Sequence, residues 1–156
     1  MLRFRQFILE SEDYKGQHTS PDKESGSPLH DVTANETYPK DFYSHKGFDY
    51  YGNAGRDDDH EVYSKIVKMK DKPDEKVYAY RAIPTKVYKD ALKKDIPLKH
   101  MIRPGDWVSI SKKYAEDHGN DHLGGKGKYK IAAMRVPARH LYTAGDSHHE
   151  WGYDPS

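Results

Sequence analysis

The chain has 156 residues, 35% hydrophobic and 33% charged, with 26 Lys and Arg against 25 Asp and Glu. That length suits one domain with a modest core, and the near-even charge excludes both a global basic field for nucleic acid and an acidic field that mimics it. Cysteine is absent, which excludes disulfide frameworks, iron–sulfur clusters and cysteine zinc sites and suits a soluble protein of a reducing cytosol. No apolar run approaches the roughly 20 residues that span a bilayer, so no membrane partner is expected.

Residues 1–10 are apolar and basic and contain Phe4, Phe7, Ile8 and Glu10. They lack the long apolar centre and small-residue cleavage site of a secretory signal. As a local element they read as a short amphipathic helix or an added edge strand. Their early aromatic followed by Phe-Ile-x-Glu also resembles the capsid-targeting peptide that opens internal head proteins of large contractile-tailed bacteriophages. That resemblance implies cleavage after Glu10, packaging inside the phage head and delivery to the bacterial host cytoplasm. Residues 11–60 are punctuated by Gly16, Pro21, Gly26, Pro28, Pro39, Gly47, Gly52 and Gly55, which argues against long helices. Yet Leu29, Val32, Phe42, Tyr43, Phe48, Tyr50 and Tyr51 are more apolar bulk than a disordered linker carries. An ordered, loop-rich segment folded against the later core is expected.

The charged run Arg56-Asp57-Asp58-Asp59-His60-Glu61 reads as a helix start, because acidic side chains suit the positive end of the helix dipole. Val62, Ile66, Val67 and Met69 then supply the apolar stripe, and Lys72-Pro73-Asp74 ends it. Residues 77–83 alternate as a strand, closed by Pro84. Residues 86–94 predict a short helix, and Arg103-Pro104-Gly105-Asp106 a turn that launches a strand over 107–111. A helical turn over 112–118 precedes a flexible loop over 119–127. Further strands are expected over 130–136, 141–143 and 150–153. Short strands interrupted by small helices indicate an α+β domain.

Three pieces carry chemistry together: Val77-Tyr78-Ala79-Tyr80-Arg81, Trp107-Val108-Ser109-Ile110-Ser111 and Glu150-Trp151-Gly152-Tyr153. Ser109 and Ser111 lie two apart on a strand and face one way, leaving Val108 and Ile110 to the core. Each piece alone has a plain reading: a surface or salt-bridged arginine, the polar face of a strand, and core aromatics near one glutamate. In this order, over residues 77–155, they resemble the Arg/Ser-x-Ser/Glu signature of the ADP-ribosyltransferase fold. The resemblance implies an α+β, ADP-ribosyltransferase-like split β-sheet core over residues 11–156, with short helices and a loop-rich N-terminal segment. It also implies NAD as co-substrate, no metal, and a catalytic set of Glu150, Arg81 and Ser109. Arg81, Ala82, Ser109, Ser111, Tyr114 and Trp151 then contact NAD, with Arg81 gripping the phosphates through its planar guanidinium. Glu150 stabilises the oxocarbenium character that develops on the ribose as nicotinamide leaves, and holds the 2′-hydroxyl.

Many members that modify arginine or asparagine carry Glu or Gln two positions before that glutamate. This chain has His148, so the acceptor is left open, and a histidine there can position or deprotonate it. Gly124-Gly125-Lys126-Gly127 lacks phosphate-loop spacing and reads as a mobile loop over the cleft. His118/His122 and His148/His149 lack the His-Glu-x-x-His form, and a glycine between the first two argues against a continuous helix, so no metal is expected. Tyr38, Tyr43, Tyr50 and Tyr51 with Lys40, Lys46 and Arg56 resemble a single-strand nucleic-acid surface, but Asp41, Asp49 and residues 57–59 spoil its field. These tyrosines are expected to pack the N-terminal segment and shape the cleft. The expected protein is a monomeric phage mono-ADP-ribosyltransferase acting on a host protein or nucleic acid, with simple NAD hydrolysis left open. The alternatives are a non-enzymatic internal head or anti-defence binding protein of the same fold, and a capsid-associated structural protein.

Overall fold

The computed structural model describes residues 19–156; the capsid-targeting-like residues 1–10 lie outside them. The described residues form an α+β fold built on two antiparallel sheets. A long hairpin-like ladder pairs β2 (Lys76–Pro84) with β4 (Tyr129–Pro137), from Lys76 opposite Pro137 to Pro84 opposite Tyr129. The other sheet has the order β1-β5-β6-β3, with β1 (Ser27–Pro28), β3 (Trp107–Val108), β5 (Leu141–Thr143) and β6 (Trp151–Tyr153). The two meet where Tyr80 of β2 and Ser109 exchange both backbone hydrogen bonds, at 2.7 and 2.9 Å. The strand expected over 107–111 therefore stops pairing with β6 after Val108 and turns to β2.

Among the described residues three α-helices pack on this frame: α1 (Asp59–Lys68), α2 (Thr85–Lys93) and α3 (Lys112–His122). In α1 the buried stripe is Val62, Tyr63 and Ile66. Val67, expected in that stripe, is 38% exposed, because its position turns it away from the face that Val62 and Ile66 share. Pro84 ends β2 and stands at the N-cap of α2, a place where its fixed φ and missing N–H cost little. α3 corrects the expected helical turn over 112–118 and loop from 119. It runs unbroken through Gly119 to His122, and the loop begins only at Leu123. Gly119 is there for packing: a Cβ would stand 2.6 Å from the Tyr129 ring.

The described part of the loop-rich segment, residues 19–60, supplies core. Leu29, Val32 and Phe42 are fully buried with Val62, Ile66, Ile110 and Trp151. Phe42 packs at 5.0 Å on Tyr63 and 4.8 Å on Tyr38, so aromatic rings replace the aliphatic bulk that the composition lacks. No helix among the described residues is long and apolar enough to cross a membrane.

Gly152 sits in β6 with the Pro21 carbonyl oxygen 1.9 Å from where its Cβ would be. Gly152→Ala is expected to lose about 1–3 kcal/mol of stability in urea unfolding, since the obstruction is backbone and cannot rotate away. Burial raises the phenols of Tyr38 and Tyr43 from 10.0 to about 12. The folded state thus holds protons that the unfolded chain releases near pH 10, so their contribution is complete below pH 10 and is lost between pH 10 and about 12. Urea midpoints measured across that interval should fall, and Tyr43→Phe should flatten the decline.

Candidate active site

The three sequence motifs converge at the junction of the two sheets. Tyr80, beside Arg81, bridges Ser109, and Val108 pairs with Trp151, whose neighbour is Glu150. Residues 81, 109 and 150, far apart in sequence, thus come from three neighbouring segments. Their exposures differ sharply. Glu150 is partly exposed, while Arg81 is 1%, Ser109 2% and Ser111 2% exposed.

Arg81 lies in the interior of β2, opposite Ala132. Its Nη1 donates to the Trp107 carbonyl at 2.7 Å, and its Nε lies 3.8 Å from Asp106. The guanidinium thereby holds the turn that launches the serine segment. Ala82 is fully buried against Trp107 and Leu123. Trp151 is fully buried in the main core, and its indole N–H donates to the His148 carbonyl at 3.0 Å. Val108 and Ile110 are buried as expected, but the serine face is buried too. Ser109 Oγ accepts the Ser111 N–H at 3.1 Å. Ser111 caps α3, accepting the Tyr114 N–H at 3.1 Å while donating to Asp58 Oδ2 at 2.5 Å; a serine before an exposed first turn is a favoured N-cap.

Tyr114, one turn into α3, aims its hydroxyl at Glu150 and donates to Oε1 at 2.8 Å. Its ring stacks on His149 with centroids 5.1 Å apart and 13° between planes. Arg56 covers the same ring at 4.8 Å. The carboxylate of Glu150 is therefore held by a phenol that is itself held on its ring.

Behind this lies a buried polar cluster, at residues whose sequence pattern marks only a helix start. Asp58 and Asp59 are each 3% exposed. Asp58 takes Arg56 Nε at 2.9 Å as well as the Ser111 hydroxyl. Asp59 Oδ2 takes the N–H groups of Ala54 and Arg56, both at 2.7 Å, and Oδ1 meets His149 Nε2 at 2.6 Å. Burial pushes both carboxyls up, but these donors prevail and hold both below the ordinary value. His148 is 4% exposed. Burial, then the neighbouring His149, lowers it from 6.5 to about 4. It is neutral near pH 7 and offers no accessible ring to an acceptor, contrary to the role expected for it. The sequence carries a signal for this cluster: three consecutive aspartates exceed what a helix start needs, and His148 and His149 stand adjacent.

Among the recesses of the described residues, one of about 710 Å³ lies between α2 and the 123–128 loop, lined by Thr85, Lys86, Lys89, Lys93 and Lys128 among others. It contains none of Arg81, Ser109 or Glu150. Comparison with protein-family models, curated proteins and solved structures finds no match in any of the three.

Ser111→Ala removes a helix cap and a donor to a buried carboxylate together. It should cost about 1–3 kcal/mol in urea unfolding, whereas the near-isosteric Glu150→Gln should stay within about 0.5 kcal/mol of the parent.

Proposed function

We propose that this protein is an NAD-dependent mono-ADP-ribosyltransferase of a bacteriophage, acting on a host protein or nucleic acid. The carrying observation is the single partly exposed carboxylate of the motif set, Glu150, fixed by the Tyr114 hydroxyl at 2.8 Å beside the serine segment. Support also comes from the meeting of the Arg81, Ser109 and Glu150 segments at one sheet junction. The phage setting rests on the Phe4, Phe7, Ile8 and Glu10 pattern.

In this reading the ribose C1′–nicotinamide bond breaks with its electron pair leaving on nicotinamide. Glu150 stabilises the positive charge that develops on the ribose, because a preorganised carboxylate costs no reorganisation when charge appears. A nucleophilic atom of the acceptor bonds to C1′ and gives its proton to solvent. Tyr114 keeps the carboxylate aimed, and Ser109 and Ser111 hold the segment beneath it. Arg81, almost wholly buried, acts here by fixing the Asp106–Trp107 turn; a direct grip on phosphates requires that side chain to become accessible. That burial favours the second reading, a binding protein that has the sheet arrangement without the activity.

Purified protein given phosphate-labelled NAD and bacterial lysate should transfer label to macromolecules. Glu150→Gln should reduce transfer about 10²–10³-fold with an unchanged unfolding midpoint; full transfer by that variant sinks the assignment. Arg81→Ala is a poor catalytic test, since it deletes a buried guanidinium that holds the Trp107 carbonyl and stands beside Asp106, a loss of about 3–5 kcal/mol. Calorimetry separates the two readings: folded protein that takes up no NAD is the binding protein.

A further inference from the structure

Asp59, His148 and His149 are all buried, and each offers a ligand atom within 4.8 Å of the other two. His149 Nε2 is 2.6 Å and His148 Nε2 3.4 Å from the same oxygen, Asp59 Oδ1. His148 Nε2 is buried and has no hydrogen-bond partner, and the same holds for His149 Nδ1. Buried orphans of this kind call for an explanation, because a buried polar atom without a partner has lost its water and gained nothing in return. Two imidazole nitrogens aimed at one carboxylate oxygen make a donor set that a cation satisfies.

We propose that Asp59 Oδ1, His148 Nε2 and His149 Nε2 form a binding site for a divalent transition metal of the zinc class. Two nitrogens with one oxygen fit zinc and its neighbours, which accept three protein ligands and leave a fourth position open. Magnesium and calcium favour sets made wholly of oxygen.

The surroundings are those of a prepared site. Asp59 Oδ2 is occupied by two backbone N–H groups at 2.7 Å, which leaves Oδ1 to ligate alone. With a cation on Nε2, a neutral His149 carries its proton on Nδ1, and Nδ1 faces Asp58 Oδ2 at 3.8 Å. Asp58 is itself anchored by Ser111 and Arg56. A carboxylate behind a ligating histidine fixes tautomer and orientation. The backbone is also fixed: the His148 carbonyl accepts the Trp151 indole N–H at 3.0 Å, and the His149 N–H donates to Ser147 Oγ at 3.1 Å. A dication here offsets two buried carboxylates and ties the 147–150 segment to the start of α1. The site makes no use of NAD, so it stands or falls separately from the transferase reading.

The test is metal uptake by the full chain after chelator stripping. Zinc calorimetry should give one equivalent bound, and cobalt should give the intense visible bands of a four-coordinate site. His148→Ala and Asp59→Asn should abolish both signals, and Asp58→Asn should weaken zinc about 10–100-fold. The double variant of His118 and His122, both to Ala, should bind as the parent does. No variant is needed for a second readout: the Nε2 resonances of His148 and His149 should shift on zinc addition to the parent protein. The proposal is overturned by absent uptake, by unmoved Nε2 resonances, or by uptake that tracks His118 and His122 instead.

Discussion

Two carboxylates buried side by side at the start of α1 impose the constraint on which the rest of the site depends. Moving a charge out of water is tolerated only when donors replace the solvent. Asp58 and Asp59 are each 3% exposed, and so they recruit donors from every nearby segment. Asp58 takes the cap serine of α3 and the Arg56 guanidinium. Asp59 takes two backbone N–H groups of the 54–56 turn and His149 of the segment before β6. One pair of charges thereby fixes the relative placement of α1, α3 and the 147–150 segment.

The accessible chemistry sits at the edge of that cluster. Glu150 is one residue beyond His149, and Tyr114 joins them by stacking on the histidine ring and bonding the glutamate. Rigidity passes outward from the buried charges to the partly exposed carboxylate. The proposed role of Glu150 needs such a fixed group, since whatever stabilises a developing positive charge must be in place beforehand. The sheet junction contributes the other half of the geometry. By leaving β6 at Val108 and bridging β2 at Ser109, the third strand brings residues from three distant stretches to one place.

Much of the secondary structure was legible because local physics decides it. The alternation of residues 77–83, the Pro84 break and the turn ahead of Trp107 read directly from side-chain period and backbone restriction. The errors have equally definite causes. Gly119 signalled a helix end by propensity, but a close-packed Tyr129 ring needed the missing Cβ, and helix α3 continued past it. Val67 matches an apolar stripe in spacing, yet Tyr63 is the residue buried with Val62 and Ile66, its ring against Phe42, Gly47 and Gly52.

The sequence by itself determined an α+β chain, an aromatic-rich ordered segment before α1, and the three motif pieces that resemble a transferase signature. The first two follow from composition, periodicity and residue type, which act over a few neighbours; the third is a resemblance of residue order. Only the tertiary structure decided that Arg81 is sealed against the Trp107 carbonyl, that Ser111 is a helix cap, and that Asp59 meets a histidine pair about ninety positions away. Burial sets those roles: a charged or polar group has one meaning in water and another when the fold removes the water, and no local pattern records which groups will lose it.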